Sequence, residues 1–157
     1  MQLRFDIEND VSILKDKKFN YDYYLDSFLE VFIKDNNNEL SLFSTTMHST
    51  IIIELSELLT ELHQTGKKQT LDPFGNANTY TLEKVGNNII VTNFDKLSNK
   101  EEWKHSFELV EFTNAYIKEM KKYLNAMVNV EANITNNQNY ILLRERLSML
   151  EKSVQPK

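Results

Sequence analysis

Apolar and polar positions alternate at the start of the chain. From Gln2 to Glu8, Leu3, Phe5 and Ile7 fall on one side and Arg4, Asp6 and Glu8 on the other, the period of a half-buried strand. Val11, Ile13 and Leu14 continue the apolar content of residues 11–19, and the charged stretch Lys15–Lys18 reads as a loop. Residues 21–34 fit two periods. As a helix, Tyr21, Leu25, Phe28, Leu29 and Phe32 form a stripe; as a strand, Tyr23, Leu25, Leu29, Val31 and Ile33 share a face. The β-propensity of Val31-Phe32-Ile33 favours a strand, at least from Phe28 onward. The polar run 35–38 is then a turn into a second alternating run, Glu39 to Met47, whose apolar residues are Leu40, Leu42 and Phe43.

A helix follows, with Ser49 or Thr50 as its cap, Leu55, Leu58, Leu59 and Leu62 as its inward stripe, and Gly66 just past its end. The Asp72-Pro73-Phe74-Gly75 sequence predicts a turn. Beyond it, Thr79–Val85 and Asn88–Phe94 flank Gly86-Asn87, the mark of a type II′ hairpin, with Leu82 opposite Val91 and Lys84 opposite Ile89. A strand from Trp103 to Glu111 sets Trp103, His105, Phe107 and Leu109 on one face. Two helices close the chain. The first is capped at Thr113 or Asn114 and carries Tyr116, Ile117, Met120, Tyr123, Leu124, Met127 and Val128; the second is capped at Asn136 or Asn137 and carries Tyr140, Leu143, Leu147 and Leu150. The expected architecture is α+β: an antiparallel sheet of about five to six strands, one helix between hairpins and two C-terminal helices. Residues 1–152 form one domain and 153–157 a frayed tail.

Composition agrees with a packed domain. Leu, Ile, Val and Phe make up 47 of the 157 residues, enough to offset the entropy of ordering the chain. Cysteine is absent, which removes disulfides, thiolate nucleophiles and cysteine metal sites and suits the cytoplasm. The longest aliphatic run, Ile51-Ile52-Ile53, is far short of a membrane span. Asp6, Glu8 and Asp10 stand where an export signal needs an apolar core. Three glycines leave no phosphate-cradling loop, no GxSxG elbow and no motif for a cofactor. The three histidines, His48, His63 and His105, show no metal-ligand spacing, so neither a metal nor a catalytic residue is assigned.

The net charge of −5 is unevenly spread, with −6 on residues 1–78 and +1 on the rest. Such a chain disfavours direct nucleic-acid binding; its best basic patch, Lys118, Lys121 and Lys122, is small. Two acidic stripes stand out. Asp22, Asp26 and Glu30 recur every four residues, a spacing that keeps them on one face of either a strand or a helix. Glu54, Glu57 and Glu61 fall within about 60° of one another on the following helix. Tyr21, Tyr23, Tyr24, Phe28 and Phe32 interleave with the first stripe. Carboxylates beside tyrosine make a surface that steers and docks a basic protein. Asp22, Tyr23, Asp26, Glu30, Glu54, Glu57 and Glu61 are therefore the candidate partner-binding residues.

The order of elements across residues 20–130, with a hairpin at Gly86-Asn87 and a strand containing Trp103, resembles the small acidic α+β immunity proteins of bacterial toxin–immunity systems. That resemblance implies an intracellular inhibitor that occludes a toxin, and a small phage-encoded inhibitor of a defence complex is similar in kind. The final helix, from about Asn137, has no counterpart in that layout. Two other readings stay open. One is a ligand-binding or hydrolytic domain with His105, Trp103 and Tyr80 around a pocket. The other is a homo-oligomer, a homodimer included, assembled through the C-terminal helices and their Met120, Tyr123, Met127 stripe.

Overall fold

The structure, a computed structural model, describes residues 1–16, 18–35, 38–73 and 75–155. The centre of the expected 35–38 turn, Phe74 of the expected 72–75 turn and the last two residues of the expected tail lie outside the described residues. The chain is α+β, with seven antiparallel strands among the described residues, divided between two sheets instead of joined in one. Strands β1 (Gln2–Ile7), β2 (Leu29–Asp35) and β3 (Asn38–Thr45) form the first sheet in that order. Strands β4 (Gln69–Leu71), β5 (Asn78–Val85), β6 (Asn88–Asp95) and β7 (Lys100–Glu108) form the second.

The first sheet buries its odd-numbered face. Leu3, Leu29, Val31 and Ile33 are almost fully enclosed, while Arg4, Asp6, Glu30 and Phe32 occupy the outer face. A bulge between Val31 and Phe32 sets Phe43 opposite Val31 but Ser41 opposite Phe32. The extra residue explains how the consecutive Leu42 and Phe43 are both buried, which strict alternation forbids. In the second sheet the central hairpin pairs as expected, Leu82 with Val91 and Lys84 with Ile89. Gly86 takes φ +60° and Asn87 does not follow it into positive φ, as a type II′ turn requires.

Four expected boundaries move. Residues 21–34 are not one element: α1 (Tyr21–Leu25) is a short helix, and the strand begins at Leu29. Asn20 decides this locally, because its side chain accepts the backbone N–H of Tyr23 at 3.1 Å. Helix α2 (His48–Thr65) begins before Ser49 and Thr50, with Met47 as N-cap at φ +56° and no side-chain cap; the Ser49 hydroxyl is buried with no partner among the described residues. Its far end follows expectation, closing on Gly66 at φ +69°. Helix α3 (Leu109–Val130) starts before Thr113, capped by Glu108, so β7 ends there and Leu109 belongs to the helix. Leu109 and Phe112 are both buried and extend the helical stripe backwards, while the Thr113 hydroxyl donates to the Leu109 carbonyl at 2.8 Å. Helix α4 (Gln138–Val154) is capped by Asn137 as expected and continues two residues into the expected tail.

Helix α3 lies along β1, α2 packs on β4 and β5, and α4 packs across α2 and α3. The Met120, Tyr123, Met127 stripe is thereby enclosed within this chain, with Met120 and Met127 at 0% exposure. Glu119, only 8% exposed within that apolar helix, has a specific task. Its Oε1 accepts the Phe5 N–H at 3.1 Å, satisfying the free edge of β1, and Lys122 Nζ stands 3.2 Å away. Glu119→Leu leaves that N–H without its acceptor and is expected to cost about 1–3 kcal/mol in urea unfolding, whereas Glu119→Gln keeps an acceptor and costs less.

Candidate functional site

The short helix α1 creates the most distinctive part of the surface. One helical turn places Asp22 and Asp26 one above the other, while Tyr24 and Leu25 turn into the core at 4% and 0% exposure. Tyr23 turns outward and is 49% exposed. Its ring stacks on Phe19, with centroids 4.5 Å apart. Phe28 follows α1, and its backbone pairs with Glu8: Glu8 N–H donates to the Phe28 carbonyl at 2.9 Å. Met47 arrives from the far side of the first sheet, and its N–H donates to the Asp26 carbonyl at 2.9 Å.

Phe19, Tyr23, Phe28 and Met47, four of the nine large apolar side chains exposed among the described residues, thus belong to the segments that meet at this five-residue helix: Phe19 and Tyr23 through their stacked rings, Phe28 just after the helix, and Met47 through its backbone contact with Asp26. Beside them lies an open cleft of about 590 Å³ lined by Glu8, Asn20, Asp22, Tyr23, Asp26 and Ser27 among others. Among the described residues, neither Asp22 nor Asp26 has an ion pair or a hydrogen bond to its carboxylate. Partial burial, and after it the neighbouring Asp22 charge, raises the Asp26 carboxyl above its ordinary value. This is a pair of like charges held together, with no cation paired to either among the described residues.

The other sequence-derived candidates divide. Glu30 does not continue the Asp22–Asp26 stripe, because the chain changes from helix to strand between Asp26 and Leu29. It lies on the outer face of β2 opposite Asp6 and accepts the Ser41 hydroxyl at 2.6 Å. Glu57 is engaged by Arg146 of α4, and the two line a separate cleft of about 240 Å³ with Glu61, Gln64 and Met149. Glu54 is part-buried, and its carboxyl is raised first by that burial and then by Asp72 and Glu57. The second stripe therefore serves partly to seat α4. Of the aromatic residues interleaved with the first stripe, Tyr24 belongs to the core and Phe32 lies 4.5 Å beneath the Arg4 guanidinium.

His105, Trp103 and Tyr80 form part of a packed ladder. Ring centroids follow one another from Phe43 to Tyr80 at 4.9 Å, to Trp103 at 6.0 Å, to His105 at 4.9 Å, to Phe107 at 6.2 Å and to Phe112 at 5.7 Å. Tyr80 is 3% exposed and belongs to the core, while Trp103 and His105 are half-buried at its margin. Among the described residues no group of three His, Asp or Glu side chains is arranged to hold a metal ion, and no helix is long and apolar enough to cross a membrane.

The α1 surface also contains residues that the sequence reading did not select: Glu8, Phe19 and Met47. Phe19 had a signal in its i, i+4 spacing to Tyr23. Met47 had none, since only the fold brings residue 47 to residue 26. Comparison of the chain with protein-family models, with curated proteins and with solved structures finds no match.

Proposed function

We propose that the protein is a non-catalytic binding module that occludes a basic surface of another protein through α1 and its surroundings. The observation that carries this reading is the coincidence of four exposed apolar side chains with the unneutralised Asp22–Asp26 pair. A desolvated aromatic centre and a polar rim are what protein interfaces need, and tyrosine supplies contact area at little entropic cost. An isolated carboxylate pair is unfavourable in the free protein, and a Lys or Arg from a partner relieves it. Glu8 and the outer-face Glu30 extend the negative potential beyond α1 and steer such a partner from a distance.

An inhibitor of the toxin–immunity kind, working in the cytoplasm, is the biological role that this chemistry suits. Charge supplies fast encounter, and the apolar centre supplies a slow dissociation. The test is capture of partners from the cell of origin by the immobilised protein at several salt concentrations. A basic protein that binds more weakly as salt rises, and whose own activity is blocked at one-to-one stoichiometry, is the expected result. A partner of acidic surface, or one held independently of salt, contradicts the reading.

A further inference from the structure

The chain also has a basic concavity, away from α1. A cleft of about 330 Å³ opens between β1 and α3. Four basic side chains line it: Arg4 from β1, Lys34 from β2, and Lys118 and Lys122 from α3; the Met1 ammonium, also in the lining, lies 3.7 Å from Glu111. Two carboxylates line it as well, Glu39 and Glu119, and both already have partners. Glu39 lies 3.4 Å from Arg4 Nη2; Glu119 holds the Phe5 N–H and Lys122 Nζ. Arg4 is further held by Asp6 at 3.1 Å and rests on the Phe32 ring, so its guanidinium is oriented before anything binds. Lys34 and Lys118 are left with no ion pair or side-chain hydrogen bond among the described residues. The lining side chains therefore carry a net charge of +2 within a chain of net charge −5.

We propose that this cleft binds a small phosphate-bearing metabolite, with Lys34 and Lys118 as the groups that take its phosphate oxygens. The volume falls at the lower end of the range that small-molecule sites occupy, roughly 300–1,000 Å³. An ammonium is a compact donor of three hydrogen bonds, suited to a multiply charged tetrahedral anion. Leu3, Phe32 and Ala115 supply an apolar wall for the organic part. A nucleic-acid strand is a poorer occupant, because it needs cations along an extended track, and Asp6 and Glu30 follow Arg4 along the same sheet face, with Glu8 just past the end of β1. This site is independent of the α1 surface, and neither requires the other.

The experiment is calorimetric titration of the full chain with inorganic phosphate, pyrophosphate and adenosine triphosphate at constant ionic strength. Lys34→Gln, Lys118→Gln and, as a control, Lys121→Gln are titrated in parallel; Lys121 pairs with Glu151 of α4 and does not line the cleft. All three lysines are exposed, so the unliganded thermal midpoints are expected to be unchanged. The expected result is saturable one-to-one binding, weakened about tenfold by each of the first two substitutions and unaffected by the control. Tighter binding of adenosine triphosphate than of pyrophosphate identifies a contribution from the organic part; equal binding identifies recognition of the phosphates alone. Amide resonances of Leu3 and Ala115 in the unsubstituted protein give a second readout and are expected to shift on addition of pyrophosphate. No saturable binding of any of the three anions at millimolar concentration overturns the proposal, as does equal weakening by Lys121→Gln.

Discussion

Acidification from pH 7 to pH 5 is expected to remove about 2 kcal/mol of stability through one buried imidazole. His48, the first residue of α2, has no solvent exposure. Its Nδ1 lies 3.1 Å from the Ser27 carbonyl, which only accepts, so Nδ1 carries the proton; its Nε2 then accepts from the Tyr123 hydroxyl at 2.8 Å. The Tyr24 and Tyr123 rings stand edge-on to it, with centroids at 5.2 and 5.6 Å. Burial in this setting disfavours the imidazolium and pushes the pKa down to about 4 from an ordinary 6.5, against a smaller opposing effect of the Ser27 carbonyl.

Between those two values the unfolded chain binds a proton that the folded chain refuses. Stability is therefore fully present above about pH 6.5 and falls with decreasing pH, by about 3 kcal/mol at pH 4. Urea unfolding at pH 7 and pH 5 measures the loss. His48→Gln is expected to be less stable than the unsubstituted protein at pH 7 but to lose about 2 kcal/mol less between the two pH values. The carboxylates titrate in both proteins, so their contribution cancels in the comparison. Parallel pH profiles for the two proteins contradict the assignment.

Charge reversal at α1 is expected to have the opposite signature, a large loss of binding with no loss of stability. Asp22 and Asp26 contribute no hydrogen bond or ion pair from their carboxylates among the described residues. The Asp26 carboxyl is raised first by partial burial and then by the charge of Asp22. Asp22→Lys combined with Asp26→Lys removes that unfavourable pair and sets two cations against a basic partner. Like-charge contacts at an interface cost several kcal/mol, so affinity is expected to fall at least about a hundredfold while the thermal midpoint holds or rises. Tyr23→Ala is expected to weaken binding through lost apolar contact, with little change in salt dependence. A double variant that unfolds at lower temperature assigns these carboxylates to the fold instead.

The parts of this architecture that were legible in the sequence are those that local rules decide. Gly86-Asn87 admits one tight hairpin geometry, and the β5–β6 register followed from it residue for residue. The interior of α2 was legible because its leucine stripe is long, and its end because Gly66 stands at a left-handed position. Helix α1 was not, since five residues are too few for periodicity to outvote the β-propensity of the Val31 run. What decides it is the Asn20 cap and the burial of Tyr24 and Leu25, the second of which is tertiary. Strand β4 has only three residues and becomes a strand by pairing with β5. The division into two sheets depends on which strand edges meet, and alternation along one strand contains no information about that.

The candidate site was legible in half. Asp22, Tyr23 and Asp26 are neighbours within one turn of helix, so their convergence needed no tertiary knowledge. Extending the stripe to Glu30 assumed a single element over residues 21–34, and the change from helix to strand removes that step. Glu57 was expected on a solvated acidic face; Arg146, eighty-nine residues later, engages it. Met47 reaches the surface of α1 through a backbone contact with Asp26 that no sequence pattern announces.

Hydrogen exchange of the protein alone and in complex with its captured partner tests the central claim most directly, because it reports position without a substitution. Occlusion through α1 predicts slowed exchange in residues 18–28 and around Met47, with α4 and β7 unchanged. Protection concentrated in α4 or along the β7 edge, with residues 18–28 unaffected, contradicts it.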